Sequence, residues 1–456
     1  MNHFFKWIAN KLGIDKAIAY SSGARIIQAF TGIASIFFIT RYLTGVEQGF
    51  YYTFGSILAI QVFFELGFTG VITQYVAHEA SHLNLKEDNT FEGEEKFKSR
   101  LASLLHFSVK WYAIIAILFL VALLLIGFIF FNTYDKSNEY VSWKIPWIIL
   151  VTSTAIKLFQ APLSSILMGL NKIKEMNKIS FYQQIILPAS AWIGLIVGLK
   201  LYVVGISSLL SVFIWNIYIA KTDLQQILLN LWKEKITERV SYFKEIFPYQ
   251  WKIALSWISG YFIFQLFNPV LFATEGPIVA GQMGMTLAVL NGIQALSYSW
   301  LNTKIPLYSR LVALKDYKQL DKIFNLTLKQ MTFVCFCLLM IMLIGIGGLR
   351  FFEVSINGNL LGNRFLPYIP MLLMMATLFI NQYVTSWATY LRCHKKEPFM
   401  VNSICGAIAN ALSTLILGKY FGLYGITIGY FTITLAFMPW GYYLYKSNKE
   451  KWHGKL

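Results

Sequence analysis

The chain contains 456 residues, of which 56% are hydrophobic and only 13% are charged. This balance excludes an ordinary soluble domain, in which about a quarter of the residues are charged. The formal net charge is +17, but the basic residues are spread over short connections between apolar stretches, so we exclude a nucleic-acid partner.

Twelve long apolar stretches follow one another along the chain. Each is close to the roughly 20 residues that a helix needs to cross the ~30 Å hydrocarbon core of a bilayer. The sequence therefore predicts an all-α polytopic membrane protein with about 12 transmembrane helices. The predicted spans are approximately 19–40, 50–76, 108–131, 146–169, 179–199, 201–220, 249–273, 277–301, 331–349, 367–391, 399–418 and 422–445.

The distribution of Lys and Arg predicts the orientation of these spans. Thirty of the 39 basic residues lie in, or within four residues of, every second gap, and seven lie in the other gaps. The positive-inside rule then places the basic gaps and both termini in the cytoplasm. There the basic side chains would also meet anionic lipid headgroups. One missing or additional helix would destroy this asymmetry, so the charge pattern supports the helix count.

The cytoplasmic connection 221–248 carries apolar residues mostly three or four positions apart. Such a stripe, with charged residues opposite, predicts an amphipathic helix on the inner membrane surface. We expect this helix, over 223–248, to link an N-terminal six-helix lobe (1–222) to a C-terminal six-helix lobe (249–456). The apolar positions are Leu224, Ile227, Leu228, Leu231, Ile236, Val240, Phe243 and Phe247.

The two predicted lobes resemble copies of one another. Short matches recur at an offset of 220–222 residues in corresponding topological places, which indicates duplication. Six helices per copy is an even number, so the copies form parallel lobes, which we expect to surround a central cavity. The matches are Gln160 and Ser164 with Gln382 and Ser386, Lys174-Glu175 with Lys396-Glu397, and Gly205-Ile206 with Gly425-Ile426.

Three ionisable residues, Arg25, Glu65 and Lys157, lie well inside predicted spans. A charge at a lipid-exposed helix centre costs at least ~2.5–3.5 kcal/mol, so these side chains should face the bundle interior or a watery cavity. Arg25 is near enough to the cytoplasmic end of its helix to extend to the interface instead. Glu65 could form a structural ion pair with Arg25, whereas Lys157 has no evident acidic partner.

Three further polar residues extend this set. Gln28 is one turn from Arg25, Gln160 is one turn from Lys157, and Lys252 is near the inner end of the seventh span. Together the six residues predict a polar, net positive interior that binds substrate. We expect no catalytic residues and no cofactor.

A literal zinc-protease signature is present at His78-Glu79-Ala80-Ser81-His82. Its spacing would place both imidazoles on one helical face, with Glu79 as a base. However, the second span ends there, and no third ligand is evident. We therefore interpret the motif as a solvated helix end and predict no metal site.

The segment Arg41-Tyr42-Leu43-Thr44-Gly45-Val46-Glu47-Gln48-Gly49-Phe50-Tyr51 resembles a motif of the polysaccharide transporters, with Thr44 where the motif usually has Gly. Phe63-Phe64-Glu65-Leu66-Gly67 and the His78-Glu79 end are similar to Wzx-type O-antigen flippases in particular. Pro306-Leu307-Tyr308-Ser309-Arg310-Leu311 is similar to a cytoplasmic connection of the same family. These proteins belong to the multidrug/oligosaccharidyl-lipid/polysaccharide (MOP) exporter superfamily, and the resemblance covers essentially the whole chain.

This resemblance implies a flippase that moves undecaprenyl-pyrophosphate-linked oligosaccharide units across a bacterial inner membrane by alternating access. It also implies a cationic central cavity, which Arg25, Lys157 and Lys252 would supply. We expect a monomer, with a polysaccharide polymerase as a further candidate partner. The alternatives are a cation-coupled drug exporter of the same superfamily and a membrane O-antigen polymerase or glycosyltransferase. An enzyme of that kind is disfavoured because the external connections are short.

Overall fold

The computed structural model describes residues 31–454 apart from positions 33, 136, 138, 357, 358 and 395. This part of the chain is mostly helical. Two short antiparallel hairpins lie in connections between helices: β1 (Leu83–Leu85) with β2 (Phe91–Gly93), and β3 (Ser355–Ile356) with β4 (Asn359–Leu360).

The helices of the first half begin with a helical segment at 34–42. They continue as α1 (Gly45–Leu58), α2 (Gln61–Glu65), α3 (Phe68–Ala80), α4 (Glu95–Tyr134), α5 (Lys144–Gly169), α6 (Ile173–Ile196), α7 (Tyr202–Ala220) and α8 (Leu224–Lys233).

A π-helical turn, Tyr242–Ile246, leads into the second half, and a 3₁₀ turn, Leu361–Arg364, precedes α14. The helices are α9 (Phe247–Phe264), α10 (Phe267–Glu275), α11 (Pro277–Asn302), α12 (Ile305–Ala313), α13 (Tyr317–Phe351), α14 (Tyr368–Arg392) and α15 (Met400–His453).

The prediction of an all-α polytopic membrane protein is confirmed. Among the described residues, eight helices are long and apolar enough to cross a membrane, and the bent pair of α1–α2 with α3 would make a ninth. The 54-residue α15 would be about 80 Å long if straight, which exceeds one bilayer crossing. It contains a break at Gly422 (φ 55°, ψ −134°), the first residue of the predicted span 422–445. Of the predicted span 19–40, the first part lies outside the described residues.

Breaks within helices have local causes. At Gly422, a β-carbon would lie 1.5 Å from Oε1 of Glu275, and the same carboxylate accepts a hydrogen bond from the backbone N–H of Leu423. Glu275 therefore satisfies one donor at the start of the next helix, in the manner of an N-cap. Between α2 and α3, Leu66 and Gly67 both have positive φ, and the two helical segments meet at 43°.

The described part of the chain forms two compact units. Within the described residues, the first unit contains Leu58–Thr133 and Ser142–Ile258, and the second contains Gly32–Ile57, Tyr134–Val141 and the chain from Ser259 onward. Most of α1 thus packs with helices of the second half, and the start of α9 packs with the first. The division into lobes 1–222 and 249–456 remains a prediction.

The linker helix is shorter than predicted. Helix α8 ends at Lys233, and the next residue is extended. The backbone beyond it is held by α4 instead: the Ser99 hydroxyl accepts hydrogen bonds from the N–H groups of Thr237 and Glu238, both at 2.7 Å. Because side chains of α4 satisfy these donors, the chain can leave the helical conformation there without orphaning them.

The same helix pair recurs inside each unit. In the first unit, α5 packs against α7, where the Trp215 indole donates to the Ser164 hydroxyl at 2.8 Å. In the second, α14 packs against the last part of α15, where the Asn381 amide contacts the Tyr430 hydroxyl at 3.3 Å. These are the fourth and sixth spans of each predicted copy, so the packing agrees with a duplicated chain.

Candidate functional site

The structure describes the side chains of three of the six predicted binding residues. Arg25 and Gln28 lie outside the described residues, as does the side chain of Lys252, whose backbone belongs to α9. The remaining three, Glu65, Lys157 and Gln160, all belong to the first unit.

Lys157 lies in the middle of α5, a helix that packs against α3 and α7. Its side chain is half-buried, and no carboxylate in the described part of the chain pairs with it. The hydroxyl groups one turn before it, Ser153 and Thr154, are turned back to the carbonyl of Leu150. An unpaired charge within a membrane is costly, and the described residues supply no anion to compensate the ammonium of Lys157.

Gln160 has a different environment from its neighbour Lys157. It is buried, and its amide donates to the carbonyl of Val212 on α7 at 3.5 Å. The contact joins α5 to α7, so the amide N–H is already used in helix packing. A role for Gln160 in binding substrate remains a prediction.

Glu65 is the last residue of α2, at the break before α3. The Thr69 hydroxyl donates to its Oε1 at 2.8 Å, across the break. Neighbouring aromatic rings pack this region against α4: Phe64 with Phe119, and Phe68 with Tyr112. Glu65 is therefore a carboxylate at a bend in a spanning segment, and its predicted pairing with Arg25 involves a residue outside the described part.

The residues of the zinc-protease signature make contacts of a different kind from metal ligands. Glu79 is buried, and Nε of Arg100 donates to its Oε1 at 3.0 Å, so the carboxylate is engaged with a cation. His78 is exposed, whereas the ring of His82 stacks on Phe97. No group of three His, Cys, Asp or Glu residues in the described chain is arranged to hold a metal ion. The motif lies at a helix end, as predicted, but Glu79 is buried there and not solvated.

Arg100 also fixes the linker. Its guanidinium donates to Oε2 of Glu245 at 2.6 Å, in the turn that precedes α9. Burial would raise the pKa of Glu245, but hydrogen bonds from Arg100 and from the backbone of Ser241 lower it below its usual value. One arginine thus joins the end of α3, the start of α4 and the linker.

The motif residues 44–49 build a capped turn in the second unit. The backbone N–H of Thr44 donates to Oε2 of Glu47 at 2.9 Å, and the N–H of Glu47 donates to the Thr44 hydroxyl at 3.2 Å. This reciprocal arrangement is a capping box, for which the Thr-x-x-Glu spacing was the available sequence signal. The Thr44 hydroxyl also contacts Glu139 at 3.1 Å.

Gln48 and Arg364 connect this turn to distant parts of the chain through contacts that the sequence did not predict. The Gln48 amide donates to the carbonyl of Gly281 at 2.8 Å, and the buried Arg364 donates to the carbonyl of Leu43 at 2.8 Å. Arg364 belongs to a connection predicted to be external, where an arginine is ordinarily solvated. Its burial could not be read from the sequence because Leu43 is 321 positions away.

Glycines allow α1 and α11 to approach closely at this turn. A β-carbon on Gly49 would lie 2.0 Å from the carbonyl oxygen of Pro277, and one on Gly281 would lie 2.9 Å from the backbone nitrogen of Gly49. Helices α1 and α11 therefore meet backbone to backbone, as small residues permit in membrane proteins. We call the set Leu43–Gly49, Pro277, Gly281 and Arg364 the outer joint.

Solved structures of transporters share this fold. The inward-facing conformation of a multidrug resistance MATE family transporter of the MOP superfamily matches with a TM-score of 0.61 and 14% identity, covering 92% of this chain and 99% of that one. Lipid II flippase MurJ, in an inward closed conformation, matches with a TM-score of 0.61 and 13% identity. The match covers 93% of this chain and 87% of that one. The outward-facing conformation of a multidrug resistance MATE family transporter matches with a TM-score of 0.56 and 13% identity, covering 97% of each chain.

No protein-family model matches the sequence, and no curated protein matches it significantly. At 13–14% identity, the structural likeness establishes the fold. That fold is the polytopic helical architecture seen in these solved structures.

Proposed function

We propose that this protein is a flippase that moves undecaprenyl-pyrophosphate-linked oligosaccharide units across a bacterial inner membrane, for O-antigen or other surface polysaccharide synthesis. Two observations support a transporter of this kind. Its fold is shared with a lipid flippase and with multidrug transporters. Its motif segments at 41–51 and 63–67 resemble those of Wzx-type flippases.

The observation that carries the proposal is Lys157. It is a half-buried cation inside a spanning helix, and no acid in the described residues neutralises it. A diphosphate headgroup would supply the missing charge and accept hydrogen bonds from the ammonium. Arg25 and Lys252 are proposed to add positive charge, with Gln28, Glu65 and Gln160 as further polar contacts.

The membrane potential favours export of such a substrate without ATP. Moving negative charge out of an inside-negative cell yields ~2.3 kcal/mol per charge per 100 mV. For a diphosphate that crosses the full field, the gain is roughly 4–5 kcal/mol. The glycan and diphosphate would pass through the polar interior while the polyprenyl chain stays in lipid.

We further propose that the outer joint takes part in alternating access. It binds most of α1 to α11 and to the 3₁₀ turn on the side that the charge pattern predicts to be external. We propose that substrate release to that side breaks these contacts. We propose that the joint is closed while the headgroup loads from the cytoplasm and opens for release.

The decisive experiment compares Lys157→Ala with Lys157→Arg and a matched control, Lys110→Ala, which removes an exposed lysine of α4 near the start of the predicted span 108–131. Purified variants are reconstituted in vesicles with a lipid-linked oligosaccharide diphosphate, and its movement between leaflets is measured. We expect the alanine variant to insert normally but lose transport, the arginine variant to retain part of it, and the control to match wild type. Wild-type transport by both Lys157→Ala and Arg25→Ala would refute the cationic-site mechanism.

The second candidate is a cation-coupled drug exporter. Glu65, a carboxylate at a break within a spanning segment, favours it because such a group could exchange protons or bind a cation. The same vesicles distinguish the two functions. Efflux of a cationic dye that requires Glu65 and not Lys157, without movement of the lipid-linked sugar, would favour the exporter.

The remaining assignments follow from the proposed flippase. We propose a multi-pass location in the inner membrane with both termini cytoplasmic, contact with anionic lipids there, and a polysaccharide polymerase as partner. We also propose that the protein works as a monomer and catalyses no chemical reaction.

A further inference from the structure

Asp321, at the start of α13, is the centre of a polar contact in the second unit. Its Oδ2 lies 2.8 Å from Nζ of Lys449, and its Oδ1 accepts a hydrogen bond of 2.5 Å from the hydroxyl of Tyr390. Lys449 belongs to the last turns of α15, beyond the final predicted span, and Tyr390 is near the end of α14. One carboxylate therefore joins three helices.

Further contacts hold the same turns of α15 against neighbouring residues. Nε2 of His453 lies 2.9 Å from Nε2 of His394, which follows α14, and the His453 ring stacks on Tyr317 with 3.9 Å between ring centres. Beside it, the ammonium of Lys396 lies 4.8 Å from the ring centre of Trp452. Residues 446–453 thus pack against the start of α13 and against the end of α14 with the connection that follows it.

The first unit contains a counterpart at the repeat offset. Asp321 is 221 positions after Arg100, and His453 is 221 positions after Trp232. Arg100 binds the linker through Glu245, and Trp232 of the linker stacks on His106 of α4 with 3.7 Å between ring centres. In both units, the segment after the sixth span is held by a charged residue and a ring stack on the helix that forms the third span. The central charged residue is a cation, Arg100, in the first unit and an anion, Asp321, in the second.

The histidine pair has a restricted proton arrangement. His394 places Nδ1 3.1 Å from the carbonyl of Tyr390, which can only accept, so Nδ1 carries a proton. In the neutral pair, Nε2 of His394 is then the acceptor, and Nε2 of His453 donates to it. If both rings were protonated, two N–H groups would face each other at 2.9 Å. The contact therefore tolerates at most one added proton.

We propose that residues 446–453 are a pH-sensitive clasp that closes the predicted cytoplasmic end of the second unit, as the linker closes that of the first. The clasp fastens the helices of the third, fourth and sixth spans of the copy together through Asp321, Lys449, His394 and His453. Protonation of both histidines opens it. This device is independent of which substrate the protein moves.

The charged and titratable groups around His453 set the direction of the pH effect. Among the described residues, they are His394 and Lys396 from the connection after α14, Tyr390 of α14, Tyr317 and Asp321 of α13, and Lys449 of α15 itself. Burial, followed by the nearby His394, lowers the pKa of His453 to about 4, and burial also lowers that of His394. The open clasp then binds more protons than the closed one between about pH 6.5 and pH 4, so closure weakens as the pH falls through this window.

Amide hydrogen exchange of residues 446–453 in the purified, substrate-free protein tests the clasp. Lys449→Asp and Asp321→Lys should each raise the exchange rate at pH 7 by about two- to fivefold, as expected for the loss of a partly exposed ion pair. The double variant, which reverses the pair, should recover most of the protection. Lys446→Asp is the matched control, since Lys446 is exposed three positions away.

A second arm isolates the histidines. His453→Phe keeps a ring to stack on Tyr317 but cannot be protonated. In wild type, protection relative to an unstructured peptide should decrease from pH 7 to pH 5, and in His453→Phe it should not. Equal exchange in Lys449→Asp and Lys446→Asp, with no recovery in the double variant, would overturn the clasp. A wild-type pH profile identical to that of His453→Phe would overturn its pH sensitivity. Neither result depends on transport, so the proposed flippase function is tested separately.

Discussion

Replacement of Gly49 by alanine should weaken the outer joint. The added β-carbon would meet the Pro277 carbonyl oxygen at 2.0 Å and the carbonyl carbon at 2.5 Å. Because both atoms belong to the backbone, no rotamer change relieves the overlap. Helices α1 and α11 must separate until the contact reaches at least 3.4 Å, the ordinary van der Waals range.

The structure allows the cost to be estimated. Overpacking of a close contact costs about 1–3 kcal/mol, and separation also stretches the 2.8 Å hydrogen bond from Gln48 to Gly281, which contributes about 1 kcal/mol. Alanine returns roughly 0.5–1 kcal/mol through its better helix propensity. We therefore expect Gly49→Ala to lower the free energy of unfolding by about 1–3 kcal/mol.

Gly55 of the same helix is the matched control, since a β-carbon there meets no atom within 4 Å. Gly55→Ala should be neutral or stabilise the protein by up to about 1 kcal/mol. Thermal unfolding of both variants in the same detergent, followed by size-exclusion fluorescence, measures the difference. If Gly49→Ala is as stable as Gly55→Ala, the two backbones are not in contact and the outer joint is wrong.

Three further predictions concern topology and charge. Ser137→Cys should react with an impermeant reagent in intact cells and Ser447→Cys should not; the reverse pattern would discard the predicted orientation. Replacement of His78 and His82 by Gln should leave transport unchanged, whereas stoichiometric zinc that the double variant loses would revive the metal site. For Glu65→Gln, loss of thermal stability would indicate a structural role at the α2–α3 break, and normal stability with lost transport would indicate coupling.

The sequence by itself determined the class of the protein and the places of its unbroken spanning helices such as α4 and α11. Spans must be apolar and close to bilayer length, and basic residues accumulate on one side, so both signals are local and additive along the chain. The predicted spans 108–131 and 277–301 accordingly lie within α4 and α11. The Thr44–Glu47 capping box also lies within four residues and could have been read directly.

Tertiary structure decided which polar groups meet. Glu79 reads locally as part of a metal motif, yet its partner is Arg100, and Glu245 reaches the same guanidinium across 145 positions. Arg364 is buried, and the carbonyl of Leu43, from the other half of the chain, accepts a hydrogen bond from its guanidinium. The linker leaves the helical conformation because Ser99 supplies its hydrogen bonds. Apolar periodicity records burial against lipid or protein, but a hydrogen-bond partner is chosen by three-dimensional proximity, which no local pattern encodes.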